Sequence, residues 1–506
     1  NGVVTMPQIL TNTDIPPSEQ DLDLERKLSE NMKFFERVLG IGMSYDMVKR
    51  EMTFGGHDFV FLYVNGFIKD NILDDVLRSL STLKRDQIAV DTLDKVFMTY
   101  LGHIQVEKEK KTNKIITAIL SGQTALLIDG FDHALLIDAR SYPARSPQEP
   151  ELERVVRGSR DGFVETMVQN TVLTRRRIRD PRLRMEAMKI GKRSKTDVCV
   201  AYIQDVADDS LVEEIKKRLQ KIDVDGIPMA EKSVEEWITD RNRWNPYPVV
   251  RYTERPDVAA IHLLDGHILI YVDTSPSVMI TPATVFHHMQ HAEEFRENPA
   301  VGAYVRLIRL VGIVASIFLV PLWILLTLIH RDWLPAELAF LGPNDVGAIP
   351  IILQFIMADF GIDFMRLAAI HTPTPLATAM GLVAAVLIGD IAVKVGLFAP
   401  ETILYLAVAA ISQFSTPSYE LSMANRLTRM FFILAVGLFD WIGLAAAVVL
   451  WLVLLARTKS ITRPYLWPLF PLNLKALGTV ILRTPMQYKN RRPSFVNPKD
   501  KDRQPN

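Results

Sequence analysis

The hydrophobic pattern changes character along the chain. Over residues 1 to about 300, short apolar runs alternate with charged stretches whose apolar positions recur at i, i+3 and i+4, which predicts a mixed α/β region. From about 305 to 456 the apolar runs lengthen. Residues 310–329, LVGIVASIFLVPLWILLTLI, hold no charge, and at about 1.5 Å per residue they span the ~30 Å hydrocarbon core of a bilayer. Residues 375–396, 402–419 and 430–456 predict further spans, the last interrupted only by Asp440. Residues 349–370 carry Asp359, Asp363 and Arg366 in their second half and read as a polar span lining an interior, a re-entrant segment or an interfacial helix.

The α/β region carries a repeat. Residues 58–80, DFVFLYVNGFIKDNILDDVLRSL, align without gaps on 197–219, DVCVAYIQDVADDSLVEEIKKRL, at an offset of 139. Each reads as an apolar strand, an acidic turn able to cap a helix, and an amphipathic helix. A second echo pairs 125–141, ALLIDGFDHALLIDARS, with 262–275, HLLDGHILIYVDTS, both read as a strand, an Asp-Gly turn and the returning strand of a β-hairpin. The expected fold is an α/β cytoplasmic domain of two similar subdomains, followed by an α-helical transmembrane bundle of four to six spans and a short basic cytoplasmic tail. The boundaries are 1–43 for an N-terminal extension, 44–142 and 143–300 for the subdomains, 301–456 for the bundle and 457–506 for the tail. Pro-rich RSYPARSPQEP, 140–150, links the subdomains, and a basic helical stretch follows it.

Basic residues set the orientation. Arg306 and Arg309 precede the first span, and residues 457–492 hold eight Lys or Arg and no Asp or Glu, so both ends of the bundle read as cytoplasmic. That requires an even number of crossings: four if 349–370 does not cross, six if it does and another segment is split. Arg426 and Arg429 fall outside the membrane in the four-span scheme. The N-terminal NGVVTMPQIL has neither a charged n-region nor an apolar h-region, which predicts a cytoplasmic N-terminal part.

Charge removes one class of function. Residues 171–198 hold ten basic residues against three acidic, yet Lys plus Arg and Asp plus Glu are both 58 over the chain, so the run is local and no nucleic acid is expected as partner. The single cysteine, Cys199, cannot form an intramolecular disulfide and reads as a small apolar residue of a buried strand.

Enzymatic chemistry finds little support. No Gly-rich loop is followed by Lys-Ser or Lys-Thr, and Asp129-Gly130 and Asp265-Gly266 read as turns. In TVFHHMQHAEEF, His287 and His291 have the i, i+4 spacing of a metal pair, with His288, Glu293 and Glu294 nearby. No acid follows the first His as general base and no distant ligand is evident. The preferred reading is a helix lying against the membrane through Phe286, Met289 and Phe295, with no metal and no cofactor. The acids within or beside apolar segments say more. Asp359, Asp363, Asp390, Glu401 and Asp440 would each cost a few kcal/mol if bare in lipid, so they point to a protein interior or a cation path.

The stretch NTVLTRRRIRDPRLRMEAMKIGKRSKTDVCVAYI, with IDVDG at 222–226, NPYPVVRYTERPD at 245–257, PAVGAYVRLIRLVGIVASIFLVPLW at the first span and STPSYELSMANRLTRM before the last, resembles the GerA family of spore-germination membrane proteins. The likeness runs from about Ser44 to Pro485. FHHMQHAEEFRENPAVGAYVR with VPLW looks more like the branch associated with the SpoVA operon than like an A-type subunit of a germinant receptor, where an acidic, Tyr-rich segment replaces HAEEF. The resemblance implies a multi-pass protein of the spore inner membrane with a large cytoplasmic domain. It implies a homo-oligomeric ring that opens to monovalent cations at the start of germination, and work alongside a permease-like B-type subunit, other germinant receptors and the membrane lipids. For Arg175, Arg176, Arg177, Arg179, Arg182 and Arg184 it implies a subunit contact, and Asp208, Asp209, Glu213 and Glu214 of a neighbour are suitable partners.

Overall fold

The computed structural model describes residues 22–68, 70–82, 105–140, 153, 155–240, 244–371, 391–485, 487 and 489–503. Most of the linker expected at 140–150, most of the span expected at 375–396, and Asp390 lie outside the described residues.

The first subdomain runs α1 (Leu28–Leu39), β1 (Met47–Phe54), β2 (His57–Val64), α2 (Asp70–Ser81), β3 (Val106–Glu109), α3 (Thr112–Leu120), β4 (Thr124–Ile128) and β5 (Ala134–Ile137). The second runs α4 (Met167–Arg177), β6 (Leu183–Ile190), β7 (Thr196–Ile203), α5 (Asp209–Gln220), α6 (Ala230–Ile238), β8 (Arg251–Thr253), α7 (Pro256–Leu264), β9 (Ile268–Val272), β10 (Val278–Thr281) and α8 (Val285–Met289).

The strands form two five-stranded antiparallel sheets of equivalent order, β1-β2-β4-β5-β3 and β6-β7-β9-β10-β8. The duplication expected from the sequence is present, and the offset of 139 carries β2 onto β7 and α2 onto α5 residue for residue. Pairing keeps register as well: Glu109 faces Ala134 in one sheet and Thr253 faces Val278 in the other, both shifted by 144. The first hairpin turns on Gly55 and Gly56 at φ 55° and 86°, the positive-φ pair of a tight two-residue turn.

Three expectations are corrected. Residues 262–275 are not a hairpin: His262–Leu264 close α7, and Asp265-Gly266 leads into β9. The counterpart of Gly266 (φ 97°) is Gly122 (φ 100°), each reversing the chain between a helix and a central strand. Residues 28–39 are no extension, because Phe35, Val38 and Leu39 of α1 are buried in the core of the first subdomain. The basic stretch is helical only to Arg177, and from Leu183 it is strand β6.

Strand alternation makes each sheet the middle of three layers. Val198, Val200, Ile268 and Ile270 face α5 and α6, while Cys199, Ala201, Leu269 and Tyr271 face α4 and α7. Cys199 is buried in β7, as expected. The segment 44–46 joins the subdomains along β6, with the Tyr45 N–H donating to Met185 O at 2.9 Å and the Met185 N–H donating to Ser44 Oγ at 3.0 Å.

Beyond α8 the chain forms an apolar bundle: α9 (Pro299–Ile324, continued by a π-turn, Leu325–Ile329), α10 (Ile351–His371), α11 (Pro400–Phe414) and α12 (Tyr419–Arg457), then the short α13 (Leu474–Ile481). Among the described residues two helices are long and apolar enough to cross a membrane, Pro299–Ile329 and Tyr419–Arg457.

The second is not a single rod. Asp440 has φ 57° and ψ −152° inside it, and the arms on either side run antiparallel. Phe432 and Trp451, which a straight helix would hold about 28 Å apart, have ring centroids 6.0 Å apart. Both feet of this helical hairpin enter the core of the second subdomain through Leu421, Ala424 and Leu455. The residues expected to form one span, 430–456, are thus split at Asp440.

Candidate functional site

The bundle has a proximal end at the soluble domain and a distal end at Asp440. α10 is the helix of uncertain status in the sequence, and its charges face inward. Asp359 is fully buried and receives Arg429 in a two-pronged pair, Nη2 to Oδ1 at 2.6 Å and Nε to Oδ2 at 3.3 Å. Arg429 also donates to Ser316 O of α9 at 3.0 Å. Arg426 donates to Asp363 and to the backbone carbonyl of Asp359. Two acids and two arginines therefore tie α9, α10 and the first arm of α12 together, and they neutralise one another. A planar guanidinium suits this task, since two parallel bonds fix both its position and its angle. Arg426 and Arg429, awkward in a four-span reading, are interior residues.

The other acids stand elsewhere. Asp440 accepts from His330 Nε2 at 2.8 Å, which joins the tip of the hairpin to the end of α9. Glu401, in the first turn of α11, accepts from the Asn344 backbone at 3.2 Å, where a carboxylate complements the positive end of the helix. Of the five acids singled out in the sequence, the four described ones do not converge. Asp359 and Asp363 belong to the neutral interior network, Glu401 and Asp440 to the distal rim, and Asp390 lies outside the described residues.

The arginine run also divides. Arg175 is 1% exposed and pairs with Asp46 of the first subdomain at 2.8 Å while its Nη2 donates to Leu183 O at 3.0 Å. Arg184 is buried against Gly40, where φ is 66° and an added Cβ would sit 2.7 Å from its Cζ. Burial and the neighbouring Arg175 charge pull Arg184 down to about 10. Arg177 pairs with Asp161 at 2.7 Å, and Arg182 with Asp180 and Asp205 at 2.8 and 2.7 Å. Arg176 and Arg179 are exposed. For Arg175 and Arg184 the expected contact between subunits is corrected to one between subdomains of the same chain.

The acids expected on a neighbour are engaged within the chain too. Arg463 and Asn497 reach Asp208, Lys499 reaches Asp209 at 2.5 Å, Lys216 reaches Glu213 at 3.0 Å and Arg218 reaches Glu214 at 2.6 Å. The tail is accordingly not a free basic segment. Lys489 and Arg503 pair with Asp265 at 3.1 and 3.0 Å, and the Lys499 N–H donates to Val206 O at 3.0 Å.

The residues of TVFHHMQHAEEF are placed differently from the membrane-facing helix expected. α8 is a five-residue helix in the core of the second subdomain, with Phe286 8% exposed. His287 does not pair with His291; it packs against His262 and His267, with centroids 5.8 and 5.1 Å away. Burial pushes all three imidazoles down, His267 to about 4. Glu294, buried, receives Arg306 at 2.7 Å and Arg309 from the start of α9.

Sequence reasoning missed the Arg429–Asp359 pair, the Arg175–Asp46 pair and the three-histidine cluster. The two pairs join residues 70 and 129 positions apart and the cluster draws on three separate elements; for the pairs the available signal was a buried-type neighbourhood around a charge, as in VLTRRRI or SMANRLTRM.

Comparison with known proteins agrees over nearly the whole length. The family model described as Bacillus/Clostridium GerA spore germination protein matches residues 34–495. The chain is 49% identical to Stage V sporulation protein AF of Bacillus subtilis (strain 168), over 96% of this chain and 98% of that protein. It is 29% identical to Spore germination protein KA of the same organism, over 92% and 86%. The crystal structure of the N-terminal domain of the A subunit of the Bacillus megaterium spore germinant receptor GerK3 aligns with 52% of this chain and 97% of that one, with 29% identity and a TM-score of 0.41.

Proposed function

Because the chain belongs to the GerA family of spore germination proteins, we propose that it is a membrane subunit that promotes germination by assembling into a ring that conducts monovalent cations across the spore inner membrane. In this reading the soluble domain and both feet of the α12 hairpin are cytoplasmic and the Asp440 tip faces the other side. α9, α10 and the two arms of α12 make four crossings. α10 and α11 both run toward the domain, since Asp363 meets Arg426 near the proximal end while Glu401 meets Asn344 at the distal end. With α11 this makes five crossings among the described residues.

The observation that carries the reading is the fixed carboxylate of Asp440. It sits at a chain reversal, 42% exposed and held by His330, at the rim where a ring of copies would present a ring of acids to incoming cations. Arg179, exposed on the soluble domain, is the member of the arginine run placed to meet a neighbouring subunit or a B-type partner. No enzymatic role is proposed.

A second reading is favoured by the interior network. Asp359 and Asp363 are neutralised by arginine, so the bundle core offers a cation little charge, as suits a non-conducting scaffold that organises germinant receptors and a partner channel. Potassium efflux from liposomes holding sized oligomers of the full chain, with and without a permease-like partner, separates the two. Efflux that drops in Asp440→Asn supports the channel, and silence from intact oligomers in both conditions supports the scaffold.

A further inference from the structure

His262, at the end of α7, His267, just before β9, and His287, in α8, come from three separate elements, and their candidate ligand nitrogens all lie within 4.8 Å of one another. The ring centroids are 5.0, 5.1 and 5.8 Å apart. Imidazoles bound through nitrogen at about 2.0–2.1 Å to one ion hold their centroids roughly 5.2–5.5 Å apart, so these rings already stand at the spacing of a coordinated trio. Nothing in the spacing of TVFHHMQHAEEF foretold this grouping, because two of its members lie upstream, on either side of Asp265-Gly266.

The outer contacts of two of the three, His262 and His267, are those of metal-bound histidines. Nδ1 of His262 lies 2.8 Å from Val258 O and Nδ1 of His267 lies 2.9 Å from Pro282 O. A carbonyl can only accept, so both Nδ1 atoms carry the proton and both Nε2 atoms hold a lone pair. His287 differs: its Nδ1 is within 3.1 Å of the Thr284 N–H and 2.8 Å of the Thr284 hydroxyl. With no ion its Nδ1 accepts from Thr284 and its proton rests on Nε2. With an ion on Nε2 that proton moves to Nδ1, which then donates to the Thr284 hydroxyl while the Thr284 N–H gives up its acceptor. No proton need leave the site.

We propose that His262, His267 and His287 bind one late first-row transition-metal ion, Zn2+ being the ion that three neutral imidazoles and a tetrahedral preference suit best. Phe495 of the C-terminal tail packs over His267 and His287, with centroids 5.5 and 5.2 Å away, and covers two rings of a trio in which His262 and His267 are buried and His287 is half-buried. Asp265, buried two residues before His267 and paired with Lys489 and Arg503, is the carboxylate nearest in sequence to offset the ion's charge. An enclosed site of this kind holds structure rather than turning over a substrate. The ion would pin the α7–β9 turn to α8, the segment that leads into the first apolar helix, directly beneath the docked tail.

The test uses the full chain in detergent, stripped with a chelator, offered Zn2+ or Co2+, and freed of excess metal by gel filtration. Expected are stoichiometric Zn2+ by elemental analysis and, for Co2+, the intense visible bands of a tetrahedral site. His267→Asn or His287→Asn should lower affinity by more than the about 10–100-fold typical of an outer-shell change, and His291→Ala, outside the trio, should leave it unchanged. A folded wild-type chain that takes up no Zn2+ overturns the proposal whatever the variants do. So does wild-type affinity retained in both asparagine variants.

Discussion

The indole N–H of Trp451 donates to the hydroxyl of Tyr247 across 2.6 Å. Tyr247 belongs to the soluble domain and Trp451 to the second arm of the apolar hairpin, and the same hydroxyl lies 2.8 Å from Thr428 Oγ1 of the first arm. One phenol thus holds both arms to the domain. It is 1% exposed, and burial pushes its hydroxyl up to about 12, so it stays protonated at any physiological pH. Tyr247→Phe removes two buried hydrogen bonds while keeping the ring. The expected loss is about 1–3 kcal/mol, and faster amide exchange at 419–430 and 448–456 is how it would show. Exchange identical to wild type would mean that apolar packing alone fixes the hairpin.

Removing Arg175 should damage the soluble domain more than removing any other arginine of its run. Its pair with Asp46 spans 129 positions and both side chains are almost fully buried. Breaking such a pair from one side costs about 3–5 kcal/mol because the remaining charge stays buried. Arg175→Met should lower the melting temperature of the chain, and Asp46→Asn added to it should recover part of the loss. Arg179→Ala, at an exposed position, is the control that should melt like wild type.

The same logic applies inside the bundle. Arg429→Gln leaves Asp359 without its two-pronged partner, and a loss of about 3–5 kcal/mol is expected. The double variant Asp359→Asn, Arg429→Gln should be more stable than Arg429→Gln alone. A double-mutant cycle on thermal unfolding measures the coupling, and additive effects would argue against a direct pair.

At Asp440 backbone and side chain make separate predictions. The φ of 57° with ψ −152° lies where glycine is at home and other residues are strained by about 1–3 kcal/mol. Asp440→Gly should keep the hairpin and melt no lower than Asp440→Ala, although both lose the bond from His330. If the alanine variant proves the more stable, the strain assigned to this turn is wrong.

Acid should loosen the tail before it unfolds the domain. Burial works against ionisation of Asp208, yet hydrogen bonds from Asn497 and Ser210 and the charge of Arg463 hold its carboxyl below the usual value of 3.8. A carboxyl depressed in the folded state contributes stability above its unfolded pKa and loses it as pH falls through the folded one. Docking of residues 489–503 should therefore be full at neutral pH and weaken as pH falls below about 4. Limited proteolysis of the tail by an acid-active protease, with Asp208→Asn as the variant that removes the dependence, reads this out.

Local signals carried the duplication, and long-range ones were invisible. The alternation of DFVFLYV and the acid-capped helix after it survive in both copies, so an ungapped alignment located β2, β7, α2 and α5. The second echo failed because both halves contain Asp-Gly after an apolar run. PDVAAIHLL is a nine-residue helix too short to show its period, and the true equivalents, Gly122 and Gly266, lie at the ends of helices. The fold-back turns on Asp440 itself, with Gly437 and Gly443 three positions away on either side. Glycines so placed do not by themselves tell a turn from an apolar span interrupted by one charge. Asp359 and Arg429 are 70 positions apart, beyond any local pattern.

The shared core of the second sheet and the hairpin feet has a mechanical consequence. Leu421 and Leu455 are packed with Val198 and Ile270 in one apolar cluster, so the hairpin has no independent pivot at its base and turns with the sheet. Its second arm, about 25 Å long, is a lever: tilting the sheet by about 5° would sweep the Asp440 tip through roughly 2 Å at the far end.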